Sequence, residues 1–150
     1  MRWLALDVGS RRVGVAVCDA DESVATPLRP VAFHGALELA ASVVRLVQTW
    51  DAEGVVVGVP VTQSGQGRGE RRVAEVVAAL RRESSIVVAT VDEGGTTQAA
   101  EDLLAAAGVP RRQWAERVDG LAARLILERH LVERARSAAA PPQAQTVTGR

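Results

Sequence analysis

The sequence has no lysine, asparagine or tyrosine, and only one cysteine, one methionine and one phenylalanine in 150 residues. A lone thiol, Cys18, excludes an internal disulfide and any zinc site built on cysteines. No apolar stretch approaches the roughly 18 residues that span a bilayer. The N-terminal run MRWLALDVGSRR places an Asp inside its apolar stretch and has no small-residue cleavage site, so it does not read as a secretory signal. These absences predict a cytoplasmic protein with no membrane partner. An excess of one charge is also lacking: 18 basic side chains face 18 acidic ones, which argues against an indiscriminate polyanion binder. All 18 bases are Arg. A G+C-rich genome explains the joint absence of Lys, Asn and Tyr, yet Arg still forks better onto phosphate than Lys does.

What is present fits one globular domain. With 47% apolar and 24% charged residues the composition is that of a folded protein, and two cores of about 75 residues each would be marginal. Residues 3–8 form an apolar run ending on Asp7-Val8-Gly9, and residues 12–18 alternate, which predicts a hairpin. A third short strand falls within 24–33, broken by Pro27 and Pro30. Leu37, Ala40, Ala41, Val44 and Val47 then recur at helical spacing. Residues 54–59 (GVVVGV) read as a strand covered on both faces. Residues 61–69 read as a glycine-rich loop, followed by a helix marked by Val73, Val76, Val77 and Leu80. Residues 86–91 predict another buried strand, ending on Asp92-Glu93. Thr96-Thr97 are cap candidates for a third helix, and the last helix spans about 116–135. The expected architecture is α/β: a mixed five-stranded sheet, three antiparallel strands and then parallel ones, with helices on both faces. The domain covers 1–136, and 137–150, lacking periodicity, reads as a disordered tail.

Several carboxylates stand where burial is costly. Asp7 ends the most apolar strand, and Asp92-Glu93 end the last one. Ligands gather beyond the carboxyl ends of parallel strands in open sheets, so these acids should share an edge. Asp119 lies in the first turn of the last predicted helix, with Ala122, Ala123 and Ile126 on its face, rather than on the solvated face of Glu116 and Arg117. The competing readings are a turn-starting Asp7 and an Asp119 that complements the helix dipole. Three converging carboxylates need a cation, and oxygen ligands select Mg²⁺ or Mn²⁺. Two such ions can activate water and stabilise the leaving oxygen of a phosphodiester. His34 falls at a strand–helix junction, His130 lies about three turns along from Asp119, too far to share a ligand set, and Cys18 reads as core. Arg11 and Arg12 flank the first turn, while Arg68, Arg71 and Arg72 border the glycine loop. Residues 61–90 carry five Arg against three Glu, so a neutral chain can still present a basic face.

The segment Leu6-Asp7-Val8-Gly9-Ser10-Arg11-Arg12-Val13-Gly14 resembles the opening motif of the YqgF/RuvX family. Val57-Gly58-Val59-Pro60, Val91-Asp92-Glu93 with Thr96-Thr97, and Arg117-Val118-Asp119 with Ala122-Ala123 resemble its later motifs, collinearly over about residues 3–131. The resemblance implies a ribonuclease H-like fold and a metal-dependent, phosphodiester-cleaving nuclease. Its catalytic acids would be Asp7, one of Asp92 and Glu93, and Asp119, with Asp7, Glu93 and Asp119 as the metal set. It also implies substrate contacts from Thr96, Thr97 and Arg117. Gly94 stands where the family usually has Arg, and Val61-Thr62-Gln63 where an Asn is usual.

The implied function is processing of the 5′ end of pre-16S rRNA, with RNA ahead of DNA as partner. The alternatives are a Holliday-junction-resolvase-like DNA endonuclease, which would act as a two-fold oligomer, and a non-catalytic nucleic-acid-binding module. A sugar-kinase-like ATPase shares the Asp-x-Gly motif but needs two lobes, and 150 residues supply one.

Overall fold

The structure, a computed structural model, describes residues 1–60 and 67–139. Strands β1 (Trp3–Val8) and β2 (Arg12–Cys18) form the expected hairpin, closed by Gly9 N–H donating to Arg12 O at 2.9 Å. The proline-broken segment makes two short strands, β3 (Ala25–Pro27) and β4 (Val31–Ala32), which pair with opposite ends of β2. One expected third strand is therefore two pieces, and the sheet has six strands among the described residues rather than five. Helix α1 (Ala36–Trp50) leads into β5 (Gly54–Val59), and α2 (Arg68–Glu83) into β6 (Val87–Asp92). Helix α3 (Thr96–Ala106), a 3₁₀ turn at Arg111–Gln113 and α4 (Trp114–Ala139) complete the described elements. The strand order is β3-β2-β1-β5-β6, with β5 parallel to both β1 and β6.

Three expectations shift. The loop read over 61–69 ends at Gly67, because Arg68 and Gly69 already belong to α2, while 61–66 lie outside the described residues. β6 is an edge strand and half-exposed, not buried, because among the described residues nothing pairs beyond it. α4 starts two residues earlier than expected and runs three residues into the span read as a tail, whose remainder, 140–150, is outside the described residues.

Alternation along β1 sorts the two layers. Leu4, Leu6 and Val8 point to one face, where they pack with Leu39, Val43, Val76 and Leu80 of α1 and α2. Trp3 and Ala5 point to the other, with Ala16, Cys18, Val56 and the α4 residues Ala123, Ile126 and Leu127. The second face is lined with small residues, so α4 sits low on the sheet. A Cβ at Gly14 of β2 would lie 2.0 Å from the Asp119 carbonyl oxygen, so only glycine admits the helix backbone there.

This contact makes a clear prediction. Gly14→Ala forces α4 off the sheet and should destabilise the protein by about 1–3 kcal/mol or more, the range for overpacking a tight contact. Urea unfolding of the purified variant measures it; an unchanged midpoint would mean that α4 does not sit where described.

Candidate active site

Asp7 is the penultimate residue of β1 and faces α4. Its partner across the hairpin is Gly14, and on the other side Leu6 pairs with Val57, which puts Gly58 level with Asp7. Two glycines thus flank the carboxylate and leave space above the sheet. Asp119 fills the space over Gly14. Glu93 and Ile126 fill the space over Gly58, where a Cβ would stand 2.7 Å from Glu93 Oε2 and 2.5 Å from Ile126 Cδ1.

The same alternation resolves the Asp92-Glu93 pair. Val91 is buried on the α4 face, so Asp92 turns away and Glu93 returns to that face. Asp92 is exposed, and its Oδ1 accepts the Gly94 N–H at 2.7 Å, a turn-forming role. Glu93 is fixed at both ends of its peptide unit. Its N–H donates to Val59 O at 3.0 Å, while its carbonyl accepts the Thr96 N–H at 3.0 Å and the Thr96 Oγ1–H at 2.9 Å. Gly95 caps α3 with φ +78°, so Thr96 is the first helical residue and not the cap. Thr96 is also buried with its hydroxyl committed to Glu93, which makes it a support of the turn rather than a free substrate contact. Thr97 is exposed.

Asp119 is in the second turn of α4, because the helix starts at Trp114. That weakens the dipole explanation, which is confined to the first turn. Its Oδ2 lies 2.9 Å from Arg12 Nε, an ion pair between a half-exposed guanidinium and a mostly covered carboxylate. The alignment falls short of a hydrogen bond, so Asp119 Oδ2 and Glu93 Oε2 are both buried oxygens without a donor. Among the described residues, no three His, Cys, Asp or Glu side chains stand close enough to hold a metal ion as arranged. The expected three-acid cluster is therefore half assembled: Asp7 and Glu93 face one another, and Asp119 is turned to Arg12. Even so, the donor set suits a hard divalent cation, being all oxygen with two buried lone-pair sites unanswered.

Electrostatics follow from that crowding. Burial raises the Asp7 carboxyl, its hydrogen bond with Glu93 opposes the rise, and the Asp119 charge adds to it. Glu93 is pushed up to about 8 by burial first, then by the bond and charge of Asp7 and the charge of Asp92. Glu93 therefore favours its neutral, protonated form at neutral pH, facing Asp7.

Of the basic residues expected at this edge, Arg11 and Arg12 are exposed on the turn after β1, and Arg68 and Arg71 are exposed on the first turn of α2, beyond the end of β5. Arg72 is partly covered, its guanidinium 5.9 Å from the Phe33 ring centre, so packing accounts for part of it. Arg117 is exposed beside an apolar groove formed with Leu103, Leu104 and Gly120. His130 is buried edge-on to Trp3, 4.4 Å between ring centres, away from the acids. Sequence reasoning missed Arg129 of α4, whose guanidinium donates to Asp92 O and, at 3.2 Å, to Gly94 O. No periodicity distinguishes it from other surface arginines. It also missed the close approach at Gly14, although Gly14 and Ala16 sharing one side of a strand is the mark of a tightly packed partner.

The raised Glu93 carboxyl predicts a pH dependence. Glu93 binds its proton more tightly folded than unfolded, so its stabilising effect is full below about pH 4.5 and is lost as pH rises through about 8. The melting temperature of metal-free protein should decline across that window, and Glu93→Gln should flatten the decline. A wild-type profile flat from pH 5 to 8.5 would contradict the buried pair.

The chain as a whole has counterparts among known proteins. A family model described as "RuvX: Holliday junction resolvase" matches residues 1–133. A "Putative pre-16S rRNA nuclease" of Chloroflexus aurantiacus is 39% identical over 129 residues, covering 85% of this chain and 84% of that protein. A protein of the same description from Desulforudis audaxviator is 37% identical over 135 residues, covering 89% and 96%. Among solved structures, Thermus thermophilus RuvC in complex with a Holliday junction substrate aligns with TM-score 0.56 at 18% identity, over 90% of this chain and 96% of that one. A fowlpox virus resolvase bound to Holliday junction DNA aligns with TM-score 0.54 at 11% identity, over 90% and 99%. At those identities the likeness concerns the fold, which is the ribonuclease H-like fold of RuvC-type resolvases. By the family match across nearly all of its described residues, and by relatives well above 30% identity, this chain belongs to the RuvX family.

Proposed function

We propose that this protein is a metal-dependent nuclease that hydrolyses phosphodiester bonds of structured RNA, acting at the 5′ end of pre-16S rRNA in the cytoplasm. The observation that carries the proposal is the Asp7–Glu93 pair, buried against α4 with an oxygen left unanswered, beside exposed arginines at one sheet edge. The RNA assignment draws support from the description shared by the relatives. No helix among the described residues is long and apolar enough to cross a membrane.

In this reading Asp7, Glu93 and Asp119 would hold Mg²⁺ or Mn²⁺. Such a cation would supply charge neutralisation at the phosphate and a more acidic water as nucleophile. Arg11 and Arg12 stand on the turn beside the acids and bind the flanking phosphates. Arg68 and Arg71 extend the same basic edge from the α2 N-terminus, where the helix dipole also favours an anion. Ile126 and the sheet exclude water from the inner side of Glu93, which keeps the carboxylate field strong. Asp92 stays outside the ligand set and shapes the turn.

The direct test sets labelled pre-16S rRNA, single-stranded DNA and four-way DNA junctions side by side with Mg²⁺ or Mn²⁺. Cleavage of the RNA is expected; cutting of junctions alone would favour the resolvase reading, and binding without cutting the non-catalytic one. Asp7→Asn should reduce cleavage at least about a hundredfold, more than the usual loss of an outer-shell partner. Its melting temperature without metal should stay level or rise, because one repelling charge is gone. A protein that unfolds on this change would make Asp7 structural.

The basic edge is tested separately by replacing Arg68 and Arg71 together with Ala. RNA affinity should fall alike for all sequences, and the slope of log K against log salt should drop by about one unit per lost phosphate contact. An unchanged slope would leave both residues as solvated helix surface.

A further inference from the structure

Glu93 occupies an unfavourable position. Its Oε2 is buried without a donor, it faces a second carboxyl, and it hangs from the end of a half-exposed edge strand. Left to itself, the turn after β6 would swing this side chain into water, where a carboxylate is far better solvated. Backbone bonds to Val59 and Thr96 resist that on the sheet and α3 sides. The first reaches β5 inside the sheet and the second α3, and both act on the Glu93 backbone from one side of the turn.

The remaining tie comes from the opposite layer. Arg129 projects from α4, and its two terminal nitrogens donate to the carbonyls of Asp92 and Gly94, the residues on either side of Glu93. One planar fork thus holds the peptide unit before Glu93 and the one that follows Gly94, and so brackets the turn from which the Glu93 side chain projects. The same helix carries Ile126, which packs over Gly58 against Glu93, and Asp119. α4 therefore fixes two of the three acids: one directly, and one through Arg129. We propose that Arg129 is a positioning residue that clamps the turn at 92–94 onto α4 and so holds Glu93 at the site in a ready geometry. The role deepens the nuclease reading, because it takes Glu93 as a metal ligand, but the clamp itself is testable without cleavage.

Arg129→Gln removes the fork and Arg129→Lys keeps the charge with one donor group. Amide hydrogen exchange at Gly94 and Thr96 in metal-free protein should be faster in Arg129→Gln, with exchange in β1 and β5 unaltered. Mn²⁺ affinity of the free protein should fall about tenfold or more, as when an outer-shell partner of a ligand is lost. Arg129→Lys should recover part of both. In cleavage, kcat should drop with KM for RNA nearly unchanged, and adding Arg129→Gln to Glu93→Gln should lower Mn²⁺ affinity no further. Unchanged exchange at Gly94 and Thr96 overturns the clamp whether or not any nucleic acid is cut. A raised KM with kcat intact overturns the positioning role and makes Arg129 a substrate contact. Wild-type protein that cuts nothing, with exchange still dependent on Arg129, would refute the nuclease reading and leave the clamp standing.

Discussion

The whole arrangement hangs on the seating of α4 on β2 at Gly14. A helix normally rides on side chains, with its axis about 10 Å above a sheet. Here the Asp119 carbonyl meets the strand backbone itself, and the small residues Ala5, Ala16 and Gly58 continue the depression. Lowered in this way, the helix brings Asp119 alongside Asp7 and presses Ile126 against Glu93. The site does not need a cleft between lobes. Instead, it is the open end of a gap that the glycines keep from closing.

The molecule answers its own excess of negative charge in two ways. Burial and mutual repulsion raise the Asp7 and Glu93 carboxyls toward their neutral forms, and Arg12 leans in from the turn to meet Asp119. Each arrangement is a substitute for positive charge that the acids lack. The ion pair is the weaker of the two, since Arg12 is half-exposed and screened by solvent.

Much of this was legible in the sequence, because alternation is a strong signal. The β1–β2 hairpin, the buried β5 run and the edge shared by Asp7 and Glu93 all follow from period and topology. The Asp92-Glu93 choice was also readable in principle, since Val91 fixes the parity, but only once the strand was known to reach Asp92. The exposed character of β6 was not legible: its apolar composition, VVATV, is that of a covered strand, and only the strand order shows it to be the edge. Nor could Arg12–Asp119 or Arg129 be read, as both join residues 107 and 35–37 apart through a packing angle that no local pattern encodes.

The covering helix is the last of the described elements. Trp3, Ala5 and Asp7 are made long before it, since the surface that buries their side of the sheet begins only at Trp114. Arg134, near the end of that helix, stacks 5.0 Å from the Trp3 ring and pairs with Glu22 at 2.7 Å, so the beginning and end of the fold are fastened together. A nascent chain can close the hairpin and the α1–α2 layer while its acids remain far apart. Asp119 can meet Asp7 and Glu93 only once α4 has left the ribosome, so a fragment that lacks this helix cannot bring those charges together.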